Sequence, residues 1–261
     1  MSNFNNEKTN DELLIAKVTD QYDFCISKNK ITYTDFMQIN EKSLINKYLV
    51  SKHINNYFWY GGINDAEREI LIFYPDKLTK DMAFKNIDTI LSCVHIELPN
   101  EIQMEHREFL SGIMKMGIVR EKFGDIIVRN NGADIIAFVD TAEYFKNNLN
   151  LLTRFQKATI TIKPLSSLEQ KEITFIDIDI IVSSIRLDNI VAELCHCSRS
   201  HAQNILKEQR VFVDGILEVK DSKKINIGSI ITIRGKGKFI FENTNGNTKS
   251  NRIKLIFKKY N

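Results

Sequence analysis

The stretch from Ile90 to Ile162 switches between strand-like and helix-like hydrophobic spacing in a fixed order, and few folds satisfy that order. Ile90–Leu98 is rich in β-formers. Glu101–Met116 carries Phe109, Leu110, Ile113 and Met116 on one helical side, with Gly117 placed to stop the helix. Apolar runs at Ile118–Arg120, Ile126–Arg129 and Ile135–Val139 follow, separated by Gly124 and by the Asn131-Gly132 turn pair. Thr141 is the expected cap of a helix through Leu149, and Ala158–Ile162 is a last strand. The order β-α-β-β-α-β predicts a small ferredoxin-like sheet, a layout many unrelated functions share.

The chain before this stretch predicts helices and one pair of strands. Leu14, Val18, Tyr22 and Cys25 stand at helical spacing, and Asn40 is the expected N-cap of a second helix bearing Leu44, Ile45, Tyr48 and Leu49. Tyr57–Tyr60 and Ile70–Tyr74 are aromatic and β-branched runs around Gly61-Gly62, and residues 64–68 are read as one helical turn.

After about Ile180 a third part begins. Leu187, Ile190, Val191 and Leu194 form one helical face, and Ser198 caps a second helix with Ala202, Ile205 and Leu206 inward. Val211–Val213, the Asp214-Gly215 turn and Ile230–Ile233 predict strands. The chain closes on a hairpin, with a polar loop from Glu242 to Asn251 read as its mobile tip. The whole is an α+β chain: a helical and hairpin region over 1–76, a ferredoxin-like middle domain over 77–178, and a C-terminal domain over 179–261.

Charge separates these parts. Ser183–Asn261 holds 15 Lys+Arg against 7 Asp+Glu, a net of +8, while Met1–Val182 holds 21 against 26, a net of −5; together they make the chain's +3. The basic end predicts a polyanion partner. Arg199, Gln203, Lys207 and Arg210 fall within a helical sector of about 80°, beside the apolar face. Ser198, Arg199 and Ser200 lie at that helix's start, where free N–H groups favour phosphate. Arg186 can join them, or pair with Asp188. Lys236 and Lys238 flank Gly237 in a turn suited to backbone contacts. These nine residues are the expected contacts to that polyanion.

The C-terminal run, from Arg186-Leu187-Asp188 through Ser198-Arg199-Ser200-His201-Ala202-Gln203 and Arg210–Gly215 to Gly228-Ser229-Ile230-Ile231, resembles the S-four RNA-binding domain, named for ribosomal small-subunit protein four. One departure is Asp214, where that domain usually has Asn, since an acid there would repel a nearby phosphate. Tyr60–Arg68 with Phe73–Asp76, and His106–Met114 with Arg120–Ile126, are similar to the YlmH family. The resemblance covers most of the chain. It implies a cytosolic protein whose middle domain has the RNA-recognition layout. It further implies binding of rRNA and tRNA on large ribosomal subunits still carrying peptidyl-tRNA, in ribosome-associated quality control, and a link to cell division.

Enzyme readings find little support. There is no Gly-x-Ser-x-Gly elbow, phosphate-binding loop or His-Glu-x-x-His, and the five histidines are scattered. No metal site, cofactor or small-molecule substrate is expected; Cys195-His196-Cys197 reads as a helix end. No apolar run reaches membrane-spanning length, and the N-terminus lacks a signal pattern, so a cytoplasmic location is expected. Two alternatives stand beside RNA binding: an RNA-modifying enzyme with an unrecognised site, and a cell-division interaction factor. Ile126-Ile127-Val128 offers no aromatic stacking platform, so the middle domain is expected to read shape or protein more than bases.

Overall fold

A computed structural model describes residues 2–168, 174–248 and 250–260. The chain is α+β and divides into two compact units, Met1–Lys171 and Glu172–Asn261. By these bounds the second unit carries 15 basic against 10 acidic residues, +5, and the first 21 against 23, −2.

The first unit starts with helix α1 (Ser2–Lys28), strand β1 (Thr32–Tyr33), helix α2 (Ile39–Ser51), strands β2 (Tyr57–Tyr60) and β3 (Ile70–Phe73), and the short helix α3 (Lys80–Phe84). The three strands form an antiparallel sheet in the order β1-β3-β2. Every residue of β3 is buried, and its side chains alternate between two cores. Leu71 and Phe73 meet Val18 and Cys25 of α1 and Ile45 and Leu49 of α2. Ile70 and Ile72 face the other way, with Phe36 and Phe58. Gln38, not Asn40, precedes α2, and its N–H donates to Glu41 Oε2 at 2.7 Å. The acid three residues on selects the start by satisfying that amide. Residues 64–68 are turns and bends rather than a helical turn.

The expected ferredoxin-like order follows: β4 (Leu91–Glu97), α4 (His106–Met114), β5 (Phe123–Arg129), β6 (Gly132–Phe138), α5 (Val139–Asn148) and β7 (Thr159–Lys163). The sheet order is β5-β6-β4-β7, all antiparallel. Val94, Ile96, Ile126 and Ile135 of one face pack on Phe109 and Ile113 of α4 and Ala142 and Phe145 of α5. Ile118–Arg120 is no strand; a 3-10 turn occupies Arg120–Lys122, where Arg120 Nη1 donates to the carbonyls of Phe123 and Gly124 at 2.6 and 2.9 Å. Nor does Thr141 cap α5. The helix starts at Val139, and Asp140 accepts the Thr141 N–H at 2.7 Å.

The second unit comprises β8 (Phe175–Val182), α6 (Leu187–Leu194), α7 (Arg199–Lys207), β9 (Val211–Val213), β10 (Ile216–Leu217), β11 (Ile230–Ile233), β12 (Gly237–Asn247) and β13 (Ile253–Tyr260). Its sheet runs β10-β9-β11-β12-β13-β8. Leu187, Ile190, Val191 and Leu194 of α6 and Ala202, Ile205 and Leu206 of α7 share a core with Val211, Ile231, Phe239, Phe241, Leu255 and Phe257 of the sheet. Polar residues Glu242–Asn247, expected in a loop, extend β12 with register shifts against β13, so the terminal hairpin is longer than its composition suggests.

Candidate nucleic-acid interface

Helix α7 is held at both ends. At its start, the Ser198 hydroxyl accepts the His201 N–H at 3.2 Å and contacts the Ser200 hydroxyl at 3.0 Å. The cap predicted from residue type is present, and it also occupies part of the helix's free N–H set.

Asp188 organises the basic side chains beside that start. Its side chain is fully buried. Arg186 donates to it through Nε and Nη2 at 3.1 and 3.2 Å, and Arg199 Nε through a 2.8 Å bond. Gln203 Nε2 lies 3.4 Å from Asp188 and 3.1 Å from Asp221. Burial alone would raise the Asp188 carboxyl, but the hydrogen bonds from Arg186 and Arg199 outweigh it and hold the group below its ordinary value. Three of the expected contacts therefore converge on one anion. Arg186 makes the Asp188 pair that its sequence position offered. The side chains are still 33% exposed at Arg186 and 51% at Arg199, so each retains N–H groups for an outside acceptor.

A second cluster lies at the far end of α7. Arg210 Nη2 donates to the Arg234 carbonyl at 2.8 Å, and its Nη1 pairs with Glu208 at 3.3 Å. Arg234 lies over the Phe212 ring, 5.2 Å from its centre. Lys207 and Lys236 are exposed. Lys238 covers the Tyr260 ring at 4.5 Å. The nine residues thus form two groups and a flank: Ser198, Ser200, Arg186, Arg199 and Gln203 at the start; Lys207, Arg210 and Lys236 at the end; Lys238 aside. Residue type and spacing do not single out Asp188 as the organiser, nor Asp221 or Arg234 as members. An acid two residues after Arg186 is the visible signal for the first.

Asp214 belongs to the scaffold. It and Gly215 take positive φ angles of 54° and 76° in a two-residue hairpin turn between β9 and β10. Its carboxylate accepts the Ile230 N–H at 2.7 Å and the Ser229 hydroxyl at 3.1 Å.

In the first unit, the sheet face opposite α4 and α5 is largely covered. Leu91, Cys93, Ile136 and Phe138 are buried on that face against Phe36, Phe58, Ile70 and Ile72. Single-stranded RNA is commonly bound on this face in domains of the same layout, through exposed aromatic rings. Here the layer built on β1, β2 and β3 occupies the space. The end left open carries His95, Arg129, Thr159, Thr161 and Lys163. The Gly61–Arg68 loop is also packed: Arg68 is buried, with Nη2 donating to the Phe36 carbonyl at 3.1 Å, while Asn64, Asp65 and Glu67 are exposed.

Burial pushes the Cys93 thiol up to about 12 and raises Cys25 and Cys195, so these three stay protonated at neutral pH and are poor nucleophiles. Among the described residues, no group of three His, Cys, Asp or Glu side chains is placed to hold a metal ion, and no helix is long and apolar enough to cross a membrane.

Residues 85–169, which contain the whole four-stranded sheet, match the family model described as "Putative RNA-binding domain in YlmH". This match supports the resemblance of the chain to the YlmH family. A curated relative is the ribosome-associated protein quality control protein P2 of Bacillus subtilis (strain 168), 26% identical over 234 residues, which are 88% of each chain. The cell division protein ylmH from Streptococcus pneumoniae is a solved structure at 19% identity with a TM-score of 0.44, covering 62% of this chain and 92% of that one.

Proposed function

We propose that this protein binds structured rRNA and tRNA without catalysing a reaction, and acts on large ribosomal subunits that retain peptidyl-tRNA, in ribosome-associated quality control. The observation that carries the reading is the pair of basic clusters at the two ends of α7, on a unit with net charge +5. The name of the B. subtilis relative supplies the ribosomal setting, and the matched RNA-binding model supports RNA as the ligand. Arg186, Arg199, Gln203, Lys207, Arg210, Lys236 and Lys238 supply phosphate contacts, with Ser198 and Ser200 at the helix start. Such contacts position a protein on RNA but do not select one particle. Selection is assigned to the first unit.

Co-sedimentation of the full chain with two kinds of large subunit tests this, at matched near-physiological salt. Subunits carrying peptidyl-tRNA are expected to retain the protein better than empty ones. Replacing exposed Lys207 and Lys236 by Ala should weaken retention on both, and should lower the log–log salt slope by about 0.7–0.9 for each phosphate no longer neutralised. Equal retention on the two particles by the unaltered chain would leave a general RNA binder and defeat the quality-control reading.

A further inference from the structure

The β-sheet of the first unit that holds β4 to β7 keeps one half of a face open, and that half is built differently from the covered half. Directly opposed strand residues share a face, so the registers fix its rows. One row runs Ile127, Asp134, His95, Thr161, and the row beyond it runs Arg129, Gly132, Glu97, Thr159. Lys163 stands opposite Cys93 at the border with the covered half. Asp134 is almost wholly buried at the centre. His95 Nδ1 lies 2.7 Å from its Oδ1, and Arg129 Nε donates to its Oδ2 at 2.8 Å. The side chains of His95 and Arg129 remain 27% and 30% exposed. Thr159 and Thr161 are exposed beside them.

Asp134 repeats what Asp188 does in the second unit. In each, a buried aspartate anchors two partly exposed nitrogen side chains through charge-assisted hydrogen bonds. The two threonines add hydroxyl donors of the kind that bind phosphate and ribose. Glu97, at the rim, is the one acid exposed on these two rows; it limits how far a phosphate backbone can run toward that edge.

We propose that the open end of this sheet, centred on His95, Arg129, Thr161 and Lys163, is a second contact for the sugar–phosphate backbone of structured RNA. It rests on the RNA-binding reading and names the surface through which the first unit takes part. The contact is to backbone, because no Phe, Tyr or Trp stands on these rows for a base to stack on.

Thr161 provides the test. It lies on β7, which pairs with β4 at the end of the sheet order, and its side chain is on the patch face without a role in the Asp134 network. Full-length Thr161→Lys and Thr161→Glu are compared by anisotropy of a labelled tRNA transcript at low and high salt. Ser27→Lys and Ser27→Glu, on the exposed side of α1, carry the same charge changes away from the sheet. The Thr161 pair should shift affinity about threefold to fivefold in opposite directions at low salt, the scale of one charge near a phosphate in water, and converge at high salt. Arg129→Gln should weaken binding as well, and it serves as the decisive variant if either Thr161 change lowers the melting temperature. Thr161 and Arg129 variants that move affinity no more than the Ser27 pair, while Lys207→Ala/Lys236→Ala weakens it, would overturn the second contact and leave the α7 interface standing. If the α7 variant has no effect either, the RNA-binding reading falls with it.

Discussion

Asp188 sets two electrostatic effects against each other. Removing its charge raises the net charge by one, which on long-range attraction alone should tighten RNA binding. It also releases Arg186 and Arg199 from a fixed geometry, and fixed donors lose less entropy on binding. The distances are short and the acid is fully buried, so positioning should win. Asp188→Asn is expected to lower both the melting temperature and the RNA affinity measured near physiological salt. Tighter binding with an unchanged melt would mean that the arginines need no anchor. Asp214 makes the opposite kind of case. Both of its oxygens are occupied by Ile230 and Ser229, so its role is to tie the β9–β10 turn to β11. Asn can keep the bond to the Ile230 N–H, but a neutral acceptor replaces a charged one. Asp214→Asn should therefore cost about 1 kcal/mol of stability in denaturant melts. Affinity for RNA should change little, since both carboxylate oxygens are already taken up by the Ile230 N–H and the Ser229 hydroxyl. A variant that binds clearly tighter with unaltered stability would restore the repulsion reading of this residue.

At the scale of elements, what is legible in the sequence follows from how local the signal is. Helix α6 and helix α7 carry strong i, i+3, i+4 apolar faces, and Ser198 is a short-range cap; these elements stand where their residues predict. The ferredoxin-like order is readable for the same reason, because Asn131-Gly132 and Gly117 punctuate it. Helix starts decided by a competing acid are not. Glu41 selects Gln38 over Asn40, and Asp140 takes the Thr141 amide. Strand β8 is hidden for another reason. Ile176-Asp177-Ile178-Asp179-Ile180 alternates as a strand should, yet its partner is β13, more than seventy residues away, and pairing at that distance leaves no mark in a short window. The covered sheet face is invisible in the same way. Nothing in Ile70–Phe73 alone says that Ile70 and Ile72 will seal a second sheet. Of the candidate site, residue types and helical sector are legible. The convergence of Arg186, Arg199 and Gln203 on Asp188 is not, because it needs α6 and α7 side by side.

Across the whole molecule, the sequestered acids respond to pH with opposite signs. Asp125 is pushed up to about 6: burial is the largest cause, opposed by the bond from the Glu67 N–H at 2.8 Å and by Arg120. Asp134 and Asp188 are held below the ordinary carboxylate value; burial raises each, and the bonds from their cationic partners overcome it. A carboxyl that binds its proton more tightly folded than unfolded favours folding at the acid end, and that stability is lost as pH rises through its folded value. For Asp125 the window runs from about 4, the ordinary carboxylate value, to about 6. Asp134 and Asp188 add stability that is present above about 4 and lost only as pH falls through their lowered values. Between pH 5 and 7.5 those two stay ionised, so Asp125 alone of the three changes state. Asn at position 125 can still accept the Glu67 N–H and removes the buried charge. Asp125→Asn should thus raise the melting temperature at pH 7.5 and raise it less at pH 5, where the wild-type carboxyl is already largely protonated. Comparing variant with wild type at each pH cancels histidines and other groups common to both. A gain equal at the two pH values, or larger at pH 5, would show that Asp125 is ionised throughout and that Arg120, whose own value burial lowers to about 10, compensates it more fully than the packing implies.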